Sequence, residues 1–379
     1  MTSLPTLDPL PLPAPVWLLS SLLVLTFTLH VVPMNLLVGG SIIALIARLR
    51  GRRDERSAAL ARVIANALPV VFAATITLGV AALLFLQVLY GRAFFSAAVL
   101  LAVPWILVVP ALIVGYYSAY VARGTGMATS SAEPGDTATP PARRAWIWST
   151  VAALCVLAVA FIQANVMSAV LHPDRLPAWF AAGASGLRLN MGDRTFAPRL
   201  LHAVTGACAV AGVGVAIAGY IKRKEDEALS AWMVRQGAMW FIGATMLNLL
   251  FGVWWLAALP APTVLLFMGR DLMATLWMSV GIVAALAALG HMIPTVMTKD
   301  PRSLLFGGAG SLVVALFCMV MVRDTARRAE LAAAGLRPAT WVEPQWGAIA
   351  VFAVLLVTAI AAVGWMARTY HRASGHLAN

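Results

Sequence analysis

The sequence is poor in charge, and acidic residues are the scarcer kind. Of its 379 residues only 11% are charged, with 15 acidic against 27 basic side chains, while 61% are hydrophobic. The mean hydropathy is +0.87. Because soluble domains carry about 25% charged residues, this composition excludes an ordinary soluble enzyme and indicates a polytopic membrane protein.

Cysteine and the common catalytic motifs are also scarce. The three cysteines, Cys155, Cys208 and Cys318, lie inside apolar runs and show no CxxC or CxxCH spacing. This argues against a disulfide framework, a structural zinc site and covalently attached haem. The sequence contains no Walker motif, GxGxxG, GxSxG or HExxH, and its acidic residues fall almost entirely between the apolar runs. Transport through a buried carboxylate therefore has little support.

Long apolar runs are abundant, and a membrane-spanning helix needs about 20 apolar residues. We count nine runs and predict an all-α, polytopic membrane protein with a single transmembrane domain over residues 1–379, embedded in a lipid bilayer. The predicted spans are 16–47, 67–90, 94–122, 146–171, 198–221, 234–259, 264–297, 303–322 and 346–367.

The basic residues cluster in short connections on one side of these spans, chiefly at 48–62, 143–144 and 222–224. By the positive-inside rule this side is cytoplasmic, so we predict an external N-terminus and a cytoplasmic C-terminus. The net charge of +12 is therefore a topology signal and does not indicate nucleic-acid binding. Residues 124–141 have low complexity and predict a flexible cytoplasmic loop, whereas 259–263 (LPAPT) is a very short connection between spans six and seven.

Three histidines fall within the predicted spans, namely His30, His202 and His291. A histidine inside a membrane is costly without a partner, and neutral imidazole is a common ligand of haem iron. His202 begins an apolar run rich in small residues, which allow a helix or a flat cofactor to approach closely. Arg199 precedes it by three residues and is a candidate cofactor-binding residue. His30 also lies in the outer half, while His291 lies near the inner end of its span and has the simpler interpretation of an interfacial residue.

The seventh span begins LLFMGRDLMATLWM. Arg270 and Asp271 lie near the outer boundary of the membrane, where an ion pair or a haem propionate would satisfy the guanidinium group. Met268 and Met273 flank this pair, and a thioether opposite a histidine is a known pair of haem ligands. On spacing alone, packing is the simpler interpretation of a methionine in a helix.

In several places, and in the same order, the chain resembles subunit I of the cytochrome bd-type quinol oxidases. The matching segments are LHVVPMNLLVGG around His30, FAATITLGVAALLFLQVLYGRAF (72–94), FIQANVMSAVLHPD (161–174) followed by LRLNMGDRTFAPRLLHAVTGACAVAG (187–212), and FMGRDLM (267–273). The resemblance implies one to three haem b groups in a respiratory complex of the bacterial inner membrane, with a second membrane subunit as partner.

Carried over residue by residue, the resemblance implies that His202 ligates a low-spin haem b. Met273 would be the other axial ligand, with Arg270 near the propionates, and His30 would ligate a haem of the oxygen-reducing pair. The family has its methionine two residues after that arginine, whereas here Leu272 occupies this position and the methionine comes third.

Three departures from the family bear on function. The third span, LLAVPWILVVPALIVGYY, contains no acid where the family carries glutamates. Ala350 stands where a haem-ligating glutamate would fall, and LPAPT replaces a long quinol-binding loop. These departures favour electron transfer over oxygen reduction.

We therefore expect a haem b-containing membrane subunit of a quinol-linked oxidoreductase complex. It would move electrons between the quinone pool and a partner redox protein such as a periplasmic c-type cytochrome. Two alternatives stay open: a divergent bd-type terminal quinol oxidase that reduces O2, and a haem-free helical transporter or scaffold subunit.

Overall fold

The structure is a computed structural model that describes residues 11–128, 139–298, 300–339 and 341–376. The chain is helical because backbone polar groups in lipid must be satisfied within the chain. The helices are α1 (Val16–Arg50), α2 (Glu55–Leu100), α3 (Ala102–Ala128), α4 (Thr139–Val170), α5 (Leu176–Ala181), α6 (Phe196–Ile221), α7 (Glu227–Ala258), α8 (Ala261–Leu265), α9 (Leu272–Thr295), α10 (Arg302–Ala333) and α11 (Trp346–His376).

Within the described residues, eight helices are long and apolar enough to cross a membrane, and Trp346–Ala362 is a shorter apolar helix. The predicted all-α, multi-pass architecture is confirmed. Consecutive spans joined by short connections run antiparallel. We call the face of the bundle that holds the starts of α1, α6 and α9 and the end of α10 the N face, and the opposite face the C face. Which face is cytoplasmic stays a prediction.

The second and third spans are divided differently from the prediction, which placed a break at residues 91–93. The backbone does leave helical geometry at Tyr90 (φ −133°, ψ 33°), but α2 resumes and continues to Leu100. It continues because Phe94, Ala97 and Leu100 are buried in the core under the N face. The predicted span 94–122 was therefore wrong at its start, since α3 begins at Ala102.

The predicted span 264–297 is two pieces in the structure. The chain turns at Gly269, whose φ of +102° is a conformation that favours glycine. Asp271 then caps α9 by accepting a hydrogen bond from the backbone N–H of Ala274 at 2.8 Å. The connection before it is short, because α7 ends at Ala258 and α8 begins at Ala261.

The helix α10 extends eleven residues past the predicted end at residue 322, to Ala333. The extension carries charges, and they are paired within the helix: Asp324 forms ion pairs with Arg327 and with Arg328, the latter at 2.9 Å. Pairing at i, i+3 and i, i+4 allows a charged segment to continue an apolar helix. The predicted flexible loop 124–141 falls largely at 129–138, outside the described residues.

The helix that begins at Phe196, α6, packs tightly between α1 and α7. A side chain at Gly39 of α1 would collide with the carbonyl of Ala207, and a side chain at Gly237 of α7 would collide with the backbone of Gly212. Glycine therefore lets both neighbouring helices approach α6 at backbone distance. This packing fixes which residues of α7 face the first turns of α6.

Candidate functional site

His202 lies in the second turn of α6 and faces α7. Its Nδ1 lies 3.0 Å from the carbonyl oxygen of Asn248. Since a carbonyl only accepts, Nδ1 carries the proton and donates it. Gly252, one turn further along α7, leaves room for the ring, because a Cβ there would lie 3.1 Å from Cε1 and 3.2 Å from Nδ1 of His202. With Nδ1 protonated, Nε2 keeps its lone pair, which is the state required of a metal-ligating imidazole.

A reciprocal contact holds the two helices in this register. The side-chain amide of Asn248 donates to the carbonyl oxygen of His202 at 2.5 Å and to the hydroxyl of Thr205 at 3.2 Å. The histidine ring and its own backbone are thus both tied to one residue of α7. Such a second contact fixes the orientation of the ring as well as its tautomer.

His30 repeats this arrangement on α1 and α2. Its Nδ1 lies 3.0 Å from the carbonyl oxygen of Thr75, and Gly79 follows one turn later. A Cβ at Gly79 would lie 2.7 Å from Cε1 and 3.0 Å from Nδ1 of His30. The α1–α2 pair thus repeats the arrangement of the α6–α7 pair: an Nδ1 donor, a backbone carbonyl acceptor and a glycine four residues after that acceptor. In both histidines named from the sequence Nδ1 is engaged by a backbone carbonyl, and Nε2 takes part in no hydrogen bond among the described residues.

His291 is arranged differently. Its Nδ1 lies 2.7 Å from the carbonyl oxygen of Ala287, on its own helix. The opposite edge of the ring faces α10, where a Cβ at Gly307 would lie 2.6 Å from Cδ2 and 2.8 Å from Nε2. The nitrogen that would bind a metal is therefore pressed against a backbone. This geometry packs His291 between its own helix and α10, whereas the sequence suggested an interfacial residue.

Arg199 lies one turn before His202. Its Nη2 donates to the hydroxyl of Thr195 at 2.7 Å, and the guanidinium also interacts electrostatically with Glu330 of α10 and with Asp193. Among the described residues, no hydrogen-bond acceptor contacts its buried Nη1. A buried guanidinium nitrogen needs an acceptor. An anionic group placed beside His202 would supply one.

A second arginine lies beside His30. The guanidinium carbon of Arg323 lies 4.0 Å above the ring of Phe27, whose centre is 6.1 Å from that of the His30 ring. Because Asp324 is paired with Arg327 and Arg328, Arg323 lies outside these pairs. It interacts electrostatically with Arg199 of α6. Arg323 of α10 is therefore close enough to act electrostatically on both His30 and Arg199.

A buried polar network fixes the start of α6. The Asp193 carboxylate accepts hydrogen bonds from Ser168 of α4 at 2.6 Å and from the Thr195 hydroxyl at 2.8 Å, and Nε2 of His172 lies 3.4 Å away. Burial alone raises the pKa of Asp193, but His172 and these hydrogen bonds outweigh it and hold that pKa well below its ordinary value. The loop carboxylate therefore stays ionised and anchors the segment that carries Arg199.

Sequence reasoning missed this network and the buried charges of α10. His172 and Asp324 both lie just outside the predicted spans 146–171 and 303–322, whereas Asp324 is buried in the structure. The available signal was the spacing of polar residues in FIQANVMSAV (161–170), which places Asn165 and Ser168 on neighbouring turns of one helix.

The remaining sequence-predicted residues lie at the junction of α8 and α9. Met273 is in the first turn of α9 and is 59% exposed, and Met268 is 64% exposed. Arg270 is exposed, and Asp271 caps the helix. The junction packs through Phe267 against the end of α7 and against α10. It therefore neighbours the helix that orients His202, while the role of Met273 as a ligand stays a prediction.

No group of three or more His, Cys, Asp or Glu side chains that could hold a metal ion occurs among the described residues. A haem does not need such a group, because its iron takes one or two axial ligands. The side chains present are chemically compatible with a haem, because Nδ1 of His202 and of His30 is engaged by a backbone carbonyl and Arg199 and Arg323 are cations near them. Their roles as ligands and as partners of propionates stay predictions of the resemblance.

The fold and these residues define a multi-pass helical membrane protein in which His30 and His202 are each held by a neighbouring helix. No protein-family model matches the chain, and no curated protein matches it by sequence. Among solved structures, it is similar to bd oxidase from Geobacillus thermodenitrificans, with a TM-score of 0.71 over 94% of this chain and 98% of that chain, at 13% identity. The chain has a bd-oxidase-like fold.

Proposed function

We propose that this chain is a haem b-binding electron-transfer subunit of a membrane oxidoreductase complex. It would carry electrons between the quinone pool and a partner redox protein, such as a c-type cytochrome. The observation that carries the proposal is the repeated geometry of His202 and His30. In each, a neighbouring helix fixes Nδ1 and leaves Nε2 free, as a haem ligand requires.

Each residue has a defined task in this proposal. His202 and His30 bind iron through Nε2, and the carbonyls of Asn248 and Thr75 hold the rings in place. Arg199 pairs with a propionate through its unsatisfied Nη1. A bound haem b supplies a one-electron carrier, and Met273 is proposed as the second axial ligand of the His202 haem.

Oxygen reduction is the second candidate function, and one observation favours it. The predicted spans carry few acidic residues, yet α10 continues past its predicted end and carries Asp324 and Glu330 close to the arginines of the site. A carboxylate near a haem is the kind of group that an oxidase needs for proton delivery. Asp324 is already engaged by two arginines, so electron transfer stays the first proposal.

The proposed partners follow from the two surfaces of the chain. Arginines remain exposed on the N face at Arg175, Arg188 and Arg194, where positive charge favours docking of an acidic redox protein. Exposed apolar side chains along the spans suit lipid and a second membrane subunit. The charge bias of the connections supports a bacterial inner membrane with the N face outside.

Haem content of the purified full-length chain tests the proposal. We expect a haem b spectrum in the pyridine haemochrome assay, loss of at least one haem in His202→Ala and in His30→Ala, and full content in His291→Ala. The last variant is the matched control, because it removes a helical histidine whose Nε2 is covered. Absence of haem from the wild-type protein, or equal content in all three variants, would refute the proposal. Oxygen uptake with quinol then separates the two candidate functions.

A further inference from the structure

A cavity of about 520 Å³ opens on the N face between the start of α1, the bend of α2 and the end of α10. Its lining combines aromatic, cationic and apolar side chains. The residues that bear on its chemistry are Trp17, Ser20, Tyr90, Arg328, Leu336 and Arg337. We propose that this cavity binds the head group of a membrane quinone.

The volume of the cavity and its position suit an amphiphile with a flat ring. Binding sites for small molecules measure roughly 300–1,000 Å³. The cavity lies at the end of the spans, where Trp17 is exposed at the start of α1. Tryptophan and tyrosine, whose side chains have one apolar and one polar end, are typical of the interface between the membrane and water. A head group held here leaves its tail in the hydrocarbon region.

The polar groups of the lining suit the two carbonyl oxygens of a quinone. Arg337 is exposed and contributes its guanidinium N–H groups. Arg328 contributes the N–H groups that its ion pair with Asp324 leaves free. Tyr90 is buried at the bend of α2 and lines the cavity. Aromatic side chains together with cations can recognise a ring that carries hydrogen-bond acceptors.

A packed series of side chains joins this cavity to His30. The guanidinium carbon of Arg327 lies 5.7 Å from the centre of the Tyr90 ring. Arg323 lies one turn before it on α10, about 6 Å along the helix axis, and stacks on Phe27 beside His30. A phospholipid site would need no such connection, whereas a quinone site beside a redox centre does. For this reason we assign the cavity to a quinone.

Backbone hydrogen bonds tie the segment before α1 to the connection that follows α10. The N–H of Leu12 donates to the carbonyl of Trp341 at 2.9 Å, and the N–H of Glu343 donates to the carbonyl of Leu12 at 3.0 Å. This pairing joins the segment that leads into α1 to the connection that contributes Arg337 to the cavity.

This assignment rests on the proposed function, and its location differs from the short 259–263 connection, where the resemblance would place a quinol site. The test uses the full-length chain in phosphatidylcholine nanodiscs, with menadione and decylubiquinone as probes in titration calorimetry. Ser20→Trp fills the cavity, and Arg337→Gln removes a cation from its rim. Arg194→Gln is the matched control, because it removes an exposed N-face arginine outside the cavity.

We expect both probes to bind the wild-type chain and to lose about tenfold or more in affinity in Ser20→Trp and Arg337→Gln, since a charged hydrogen bond contributes about that much. Arg194→Gln should bind as the wild type does. Absence of binding, or equal affinity in all four proteins, overturns the assignment. So does retention of phosphatidylglycerol by the wild type but not by Arg337→Gln, if neither quinone binds.

An absorption spectrum of each sample separates this inference from the proposed function. Haem present without quinone binding at the cavity refutes the inference alone. Quinone binding that responds to Ser20→Trp in a protein without haem refutes the electron-transfer function and leaves the cavity assignment in place.

Discussion

Replacing Gly252 by alanine should weaken haem binding while leaving the helix itself more stable. The new Cβ would lie 3.1 Å from Cε1 and 3.2 Å from Nδ1 of His202. Carbon atoms in ordinary contact are about 3.5–4.0 Å apart, so the imidazole must move by several tenths of an ångström. That movement takes Nδ1 away from the Asn248 carbonyl and would turn Nε2 away from the position in which it could bind a haem.

The magnitude follows from two contributions. Forcing the ring off its rotamer costs roughly 0.5–1.5 kcal/mol, and weakening the hydrogen bond from Nδ1 costs roughly another 0.5–1.5 kcal/mol. The sum is about 1–3 kcal/mol, which weakens haem binding about 5- to 150-fold. In the opposite direction, replacing glycine by alanine inside a helix stabilises it by about 1 kcal/mol.

Haem titration and thermal unfolding of the apoprotein measure these two effects separately. Gly243→Ala is the control on the same helix, because a Cβ there meets no atom within 4 Å. Gly79→Ala should act on the His30 haem more strongly, since its Cβ would lie 2.7 Å from Cε1. If Gly252→Ala retains haem as well as Gly243→Ala does, His202 is not held against α7 as a ligand and the reasoning is refuted.

Three further predictions address the surroundings of the haems. Met273→Ala should shift the low-spin absorption band while Met268→Ala leaves it unchanged, and the reverse result would move the ligand. Arg199→Gln should lower the midpoint potential of the proposed His202 haem, because a nearby positive charge disfavours the oxidised iron. Each tenfold change in the redox equilibrium corresponds to roughly 60 mV. The potential is measured by spectroelectrochemical titration beside the control Arg194→Gln, and a rise in potential would contradict this prediction. Since folding lowers the pKa of Asp193, its contribution to stability is complete above the ordinary carboxyl pKa and is lost as the pH falls towards the folded value. Asp193→Asn should therefore lower the unfolding temperature at neutral pH and make that temperature fall less steeply as the pH is lowered. If the unfolding temperature of the variant falls with pH as steeply as that of the wild type, the proposed role of the network is wrong.

The sequence was sufficient for the class of fold, while the choice of histidines stays a prediction. Long apolar runs force helices, and an imidazole inside such a run is rare enough to stand out. The ends of the helices were harder to predict, because a hydropathy value does not show whether a charged side chain forms an ion pair. The prediction ended the eighth span before Arg323, whereas Asp324 is neutralised by arginines three and four residues later and α10 continues. The break at Gly269 was missed for the related reason that an apolar run can contain a turn.

The glycines opposite the histidines show most clearly what a single sequence withholds. Gly79 and Gly252 look like any other small residue in an apolar run, and nothing in their own helices distinguishes them from Gly243. Their meaning depends on the register between two helices, which places a carbonyl and a glycine one turn apart against one imidazole ring. That register arises from contacts elsewhere, such as those of Gly237 with Gly212. Because the α1–α2 and α6–α7 pairs reach the same arrangement with different sequences around them, the repeated geometry is stronger support for two ligand histidines than either histidine alone.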